Sequence, residues 1–137
     1  MPDIFRCPSH GHGKSDFSGE GFTNYLLVTG EGTIYPGEKP LPLDAVVDGA
    51  SETVILADVN GQSVEWLRPG DLTAEKFCAN FQDVDYVSNH PSSNDGDLTV
   101  CVFADGLVLS LGAKQVTPEA AKALTTAAGG DAVELEL

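Results

Sequence analysis

Leu98-Thr99-Val100-Cys101-Val102-Phe103-Ala104-Asp105-Gly106-Leu107-Val108-Leu109-Ser110-Leu111 is the stretch on which the fold turns. A run of β-forming residues stops at Asp-Gly and resumes at once, the pattern of a β-hairpin, because Asp-Gly supplies the positive φ angles of a tight type I′ turn. The spacing predicts a two-residue turn at Asp105 and Gly106. Alternation places Leu98, Val100, Val102 and Ala104 on one face and Thr99, Cys101 and Phe103 on the other. Both faces are largely apolar, so the hairpin is expected inside a sheet and covered on both sides.

Working outward from the hairpin, Thr23 to Thr29 carries Tyr25-Leu26-Leu27-Val28 and reads as a central strand. The glycine- and proline-rich segment from Gly30 to Leu43 should wrap over the sheet with Ile34 and Tyr35 turned inward. Asp48-Gly49 marks a turn, and Thr53 to Ala57 a buried strand. Asp58-Val59-Asn60-Gly61 should turn that strand into Ser63-Val64-Glu65-Trp66, giving a second hairpin. A short helix is expected from Pro69-Gly70-Asp71 to about Cys78, its first turn capped by Asp71 or Thr73. Tyr86-Val87-Ser88 is a further strand.

Thr117-Pro118-Glu119 is a helix start in which Thr caps, Pro takes the first helical position and Glu complements the dipole. Gly129-Gly130 should end it. Its stripe of Ala121, Leu124 and Ala128 is small, which places the helix on the sheet's flank, with Val133, Leu135 and Leu137 as a last edge strand. The fold class is therefore α+β: a mainly antiparallel sheet with a short middle helix and a C-terminal flanking helix. Residues 1–22 read as an irregular N-terminal arm and 23–137 as a single β-rich domain.

A chain of 137 residues suits one core. Its 21 Asp and Glu against 7 Lys and Arg give a formal charge of −14, which repels phosphate backbones and argues against nucleic acid as a partner. No apolar stretch approaches the roughly 20 residues of a membrane span. Acidity of this kind keeps a protein soluble outside the cell, or supplies the oxygen ligands that hard cations prefer. Asn94, Asp95 and Asp97 form one set of candidate calcium ligands, and Asp58 with Asn60 a second, although neither has the spacing of an EF-hand loop.

Other chemistry is sparse. His10-Gly11-His12 near Cys7 offers imidazole and thiolate groups to a transition metal, or is simply exposed loop. His90 could act as a general base with Ser88 or Asp105 beside it, but no nucleophile elbow, His-Glu motif or triad-like set accompanies it. Its other reading is a backbone hydrogen bond that fixes the hairpin. Trp66 reads as core, or with Arg68 as a sugar-stacking surface. Cys7, Cys78 and Cys101 make an odd number with no Cys-x-x-Cys pair.

Several short motifs occur together in order: Phe5-Arg6-Cys7-Pro8-Ser9, Thr23-Asn24-Tyr25, Asp48-Gly49-Ala50-Ser51-Glu52-Thr53-Val54-Ile55, Trp66 with Pro69 and Asp71-Leu72, and His90 followed by Asp105-Gly106. In this the chain resembles the globular part of a large family of pilin-like bacterial envelope proteins, in which a prepilin-type N-terminal helix precedes a domain ending in a His…Asp-Gly signature. That family usually leaves nine residues between the His and the Asp-Gly, whereas residues 91–104 intervene here, so 92–97 resembles an insertion. The leader and long apolar helix are also missing before Cys7. The resemblance makes His90, Asp105 and Gly106 a structural signature, and it makes Cys78 and Cys101 the disulfide partners because the family pattern requires cysteine at neither. Some similar pilin-like proteins hold calcium in C-terminal loops, which favours calcium as the cofactor if there is one.

The implied function is that of a non-enzymatic, pilin-like or pseudopilin-like subunit of an extracellular filament or secretion apparatus. Such a subunit would be located in the cell envelope or outside the cell, and its partners would be further copies of itself and other envelope components. The alternative is a secreted calcium-dependent module that binds a glycan or a protein.

Overall fold

A computed structural model describes residues 1–5, 21–59, 64–68, 70–79, 81, 98–112, 115–130 and 133. Within them β1 (Phe22–Thr23) pairs with β4 (Val64–Glu65) in a two-stranded sheet. The main sheet contains β2 (Tyr25–Thr29), β3 (Val54–Asp58), β5 (Leu72–Thr73), β6 (Leu98–Phe103) and β7 (Val108–Gly112), in the order β5-β2-β3-β6-β7. Every pairing is antiparallel except β2 with β5, where Val28 stands opposite Leu72. Two short helices complete the set, α1 (Ala74–Ala79) and α2 (Pro118–Ala123). The α+β class with the sheet dominant is the architecture observed.

Alternation along the strands decides which face meets the helices. Leu26 and Val28 of β2, Ala57 of β3, Cys101 and Phe103 of β6 and Leu111 of β7 are buried together with Phe77 of α1 and with Ala121 and Leu124 at α2. Thr73 accepts the Lys76 N–H at 3.3 Å and so caps α1, and Phe77 meets Phe81 edge to face with ring centroids 5.2 Å apart. Thr117 caps α2 through its hydroxyl, which accepts the Ala120 N–H at 3.1 Å. This helix lies on the flank with one side turned inward: it stops at Ala123, well before Gly129, and Ala121 and Leu124 are completely buried while Pro118, Glu119, Lys122 and Ala128 are exposed. Its close neighbour is α1, and small residues let the two helices approach each other. A second, smaller core forms where the 30–43 segment and residues around Val46 close on Ile34, Val46 and Ala127, with Tyr35 packed alongside.

The signature hairpin is present, but with a three-residue loop rather than a two-residue one. The Gly106 N–H donates to the Phe103 carbonyl at 2.9 Å, the Phe103 N–H donates to the Leu107 carbonyl at 2.8 Å, and Gly106 takes a positive φ of 88°. This is a turn followed by a left-handed glycine, the usual three-residue solution. Asp105 contributes by accepting the Leu107 N–H on Oδ1 at 2.9 Å. Ala104 and Asp105 donate their N–H groups to the Thr53 and Ala50 carbonyls, which moors the loop to the start of β3. Coverage is also uneven: Thr99, Cys101 and Phe103 are buried, Val100 and Val102 half-buried, and Leu98 and Val108 exposed. Gly106→Val is expected to cost about 1–3 kcal/mol. Nothing lies within 4 Å of a Cβ at that position, so the penalty is backbone strain alone. Thermal denaturation should show Gly106→Asn to be much milder, because Asn tolerates the left-handed region.

The second expected hairpin does not form. Both edges of β3 are taken, by β2 and by β6, so β4 finds its partner in β1. Val133 is partly buried against the main core outside any strand, and the Tyr86–Ser88 strand, Leu135 and Leu137 lie outside the described residues.

Asp48 does more than initiate a turn. Its carboxylate accepts the Gly129 N–H at 2.6 Å, the Gly130 N–H at 2.7 Å and the Thr126 hydroxyl at 3.2 Å, so one side chain ties the 48–52 turn to the segment after α2. Charge-assisted bonds of this kind are the stronger class. Asp48→Ala should destabilise by about 1–3 kcal/mol, with Asp48→Asn intermediate. Amide exchange at Gly129 and Gly130 would check the assignment, since both protons should lose protection in the variant.

Candidate interaction surface

The surface begins at β4. Val64 points toward the main core, Glu65 is exposed, and the chain then turns, with the Arg68 N–H donating to the Glu65 carbonyl at 2.8 Å. A side chain with the size of a Cβ at Gly70 would run into Val64, which holds this turn close to the small sheet. The Trp66 N–H donates to the Gly21 carbonyl at 2.9 Å, extending the β1–β4 pairing by one step. Trp66 is therefore fixed at its backbone while its indole stands outside the core, 39% exposed.

The first residues of the chain meet it there. Asp3–Phe5 forms a single 3-10 turn closed by the Phe5 N–H on the Pro2 carbonyl at 3.1 Å. The Phe5 ring lies 5.8 Å from Trp66, tilted by 30°. Each aromatic has an aliphatic neighbour in sequence, Ile4 and Leu67, and both of these are 79% exposed. Two apolar pairs, distant in sequence, thus meet at the surface through Phe5 and Trp66, each with an exposed aliphatic residue next to it in sequence. The reading of Trp66 as core is corrected: β4 is only two residues long, and Trp66 follows it in a turn where it is 39% exposed beside Phe5. The sequence signal was the pairing itself, since neighbouring residues such as Trp66 and Leu67 cannot both enter one core from a short strand.

The other candidate residues are dispersed. Asp58 ends β3 opposite Tyr25 and is only 2% exposed, which is unlike a surface cation loop, and its companion Asn60 lies outside the described residues. So do Asn94, Asp95 and Asp97 of the other calcium set, as well as His90, His10, His12 and Cys7. Among the described residues no group of three or more His, Cys, Asp or Glu is arranged to hold a metal. Asp105 and Gly106 serve the hairpin loop.

The Cys78–Cys101 pairing is not formed; both are free thiols, one on α1 and the other in the interior strand β6. Burial pushes the Cys101 thiol far up, and the nearby Asp58 carboxylate pushes it further. Burial also raises Cys78, against a hydrogen bond with Thr125 that lowers it. Neither thiol is activated as a nucleophile. No described helix is long and apolar enough to cross a membrane. Compared with family models, curated proteins and solved structures, the chain matches none.

Proposed function

We propose that the chain is a structural, non-enzymatic subunit of an extracellular filament or secretion apparatus, one that works through contacts with further copies of itself and with other envelope components. The observation that supports this reading is the contact at the surface between Phe5 and Trp66, 43% and 39% exposed, with exposed Ile4 and Leu67 next to them in sequence. Scattered apolar residues are ordinary on a surface, but two exposed aromatic rings in contact are of the kind enriched at interface centres. Burying such side chains stabilises by roughly 1.5–3 kcal/mol each before the entropy of association is subtracted.

Sedimentation velocity and electron microscopy over a wide concentration range test the proposal. Wild-type protein should associate, and Trp66→Ala should weaken association by about 30-fold or more, the effect of a hot-spot loss of 2 kcal/mol, while its melting temperature hardly moves. A strictly monomeric wild-type protein at high concentration would overturn the proposal.

One observation favours a second reading, a secreted calcium-dependent module for a glycan or a protein. The exposed Trp66 face beside the exposed Arg68 is a surface on which a sugar ring could stack. Under that reading, neutral oligosaccharides with calcium should raise the melting temperature of the monomer and quench tryptophan fluorescence, and Trp66→Ala should abolish both effects.

A further inference from the structure

No further inference is drawn: the strongest candidate, the apolar row that register places across the sheet at Leu27, Leu56, Val102 and Val108, carries nothing because nothing in the structure shows what covers it.

Discussion

Phe103→Ala is expected to destabilise the protein by about 3–5 kcal/mol, the range for removing a fully buried phenylalanine. Phe103 is completely buried at the end of β6, opposite Val54, where β3 carries an irregularity in its register. It belongs to the same cluster as Phe77 of α1 and Leu124 beside α2, so truncation leaves a void between the sheet and its helices instead of a dent at the surface. Most domains are stable by only about 5–15 kcal/mol in total, and the variant should therefore melt many degrees lower. Val108→Ala provides the control: it lies on the same hairpin but is exposed, and its effect should stay within about 0.5 kcal/mol. Urea denaturation of both variants, with unchanged slopes, is the measurement. A loss below about 1 kcal/mol for Phe103→Ala would mean that β6 is turned the other way.

The second large effect is alkaline destabilisation through Cys101. Its thiol is held well above its ordinary value, first by desolvation in the core and then by the Asp58 carboxylate. The unfolded chain therefore gives up this proton at a lower pH than the folded one. The stability it contributes is fully present below the unfolded value of about 8.5 and is lost as pH rises through the window between the unfolded and folded values. Within that window the loss approaches about 1.4 kcal/mol per pH unit. Cys78 is shifted in the same direction, so the clean comparison is Cys101→Ala on a Cys78→Ala background. Melts from pH 7 to about pH 10.5 should show the parent losing stability faster than the Cys101→Ala protein. Parallel curves would show that Cys101 is not desolvated. Iodoacetamide labelling at neutral pH gives an independent readout, with Cys101 reacting only as fast as the protein opens.

Local signals suffice where a few neighbouring residues decide the outcome. Thr117 and Pro118 begin α2 because capping and a preset φ act within one turn. Asp105-Gly106 marks the reversal between β6 and β7 for the same reason, although the exact loop length depended on how Ala104 and Asp105 bond to residues 50 and 53. The assignment of partners was not local. Asp58-Val59-Asn60-Gly61 looks like a hairpin turn, but a strand has only two edges, and those of β3 are occupied by β2 and β6. The stripe of small residues on α2 marks its inward side, with Ala121 and Leu124 in the main core and Glu119 and Lys122 exposed.

By itself, the sequence determined the α+β class, the positions of β2, β3, β6 and β7, the start of α2, and an acidity of −14 that opposes nucleic acid. The expected start of the first helix at Pro69-Gly70-Asp71 is followed instead by β5, and α1 begins only at Ala74. Periodicity, capping and charge are properties of the chain that no distant contact is needed to express. Only the tertiary structure decided that Asp48 clasps Gly129 and Gly130, about eighty positions away, and that Cys101 is sealed beside Asp58. It also decided that Phe5 meets Trp66 at the surface. Those juxtapositions depend on strand order and on which edges remain open for pairing, and the chain settles both only when all its elements compete for the same core.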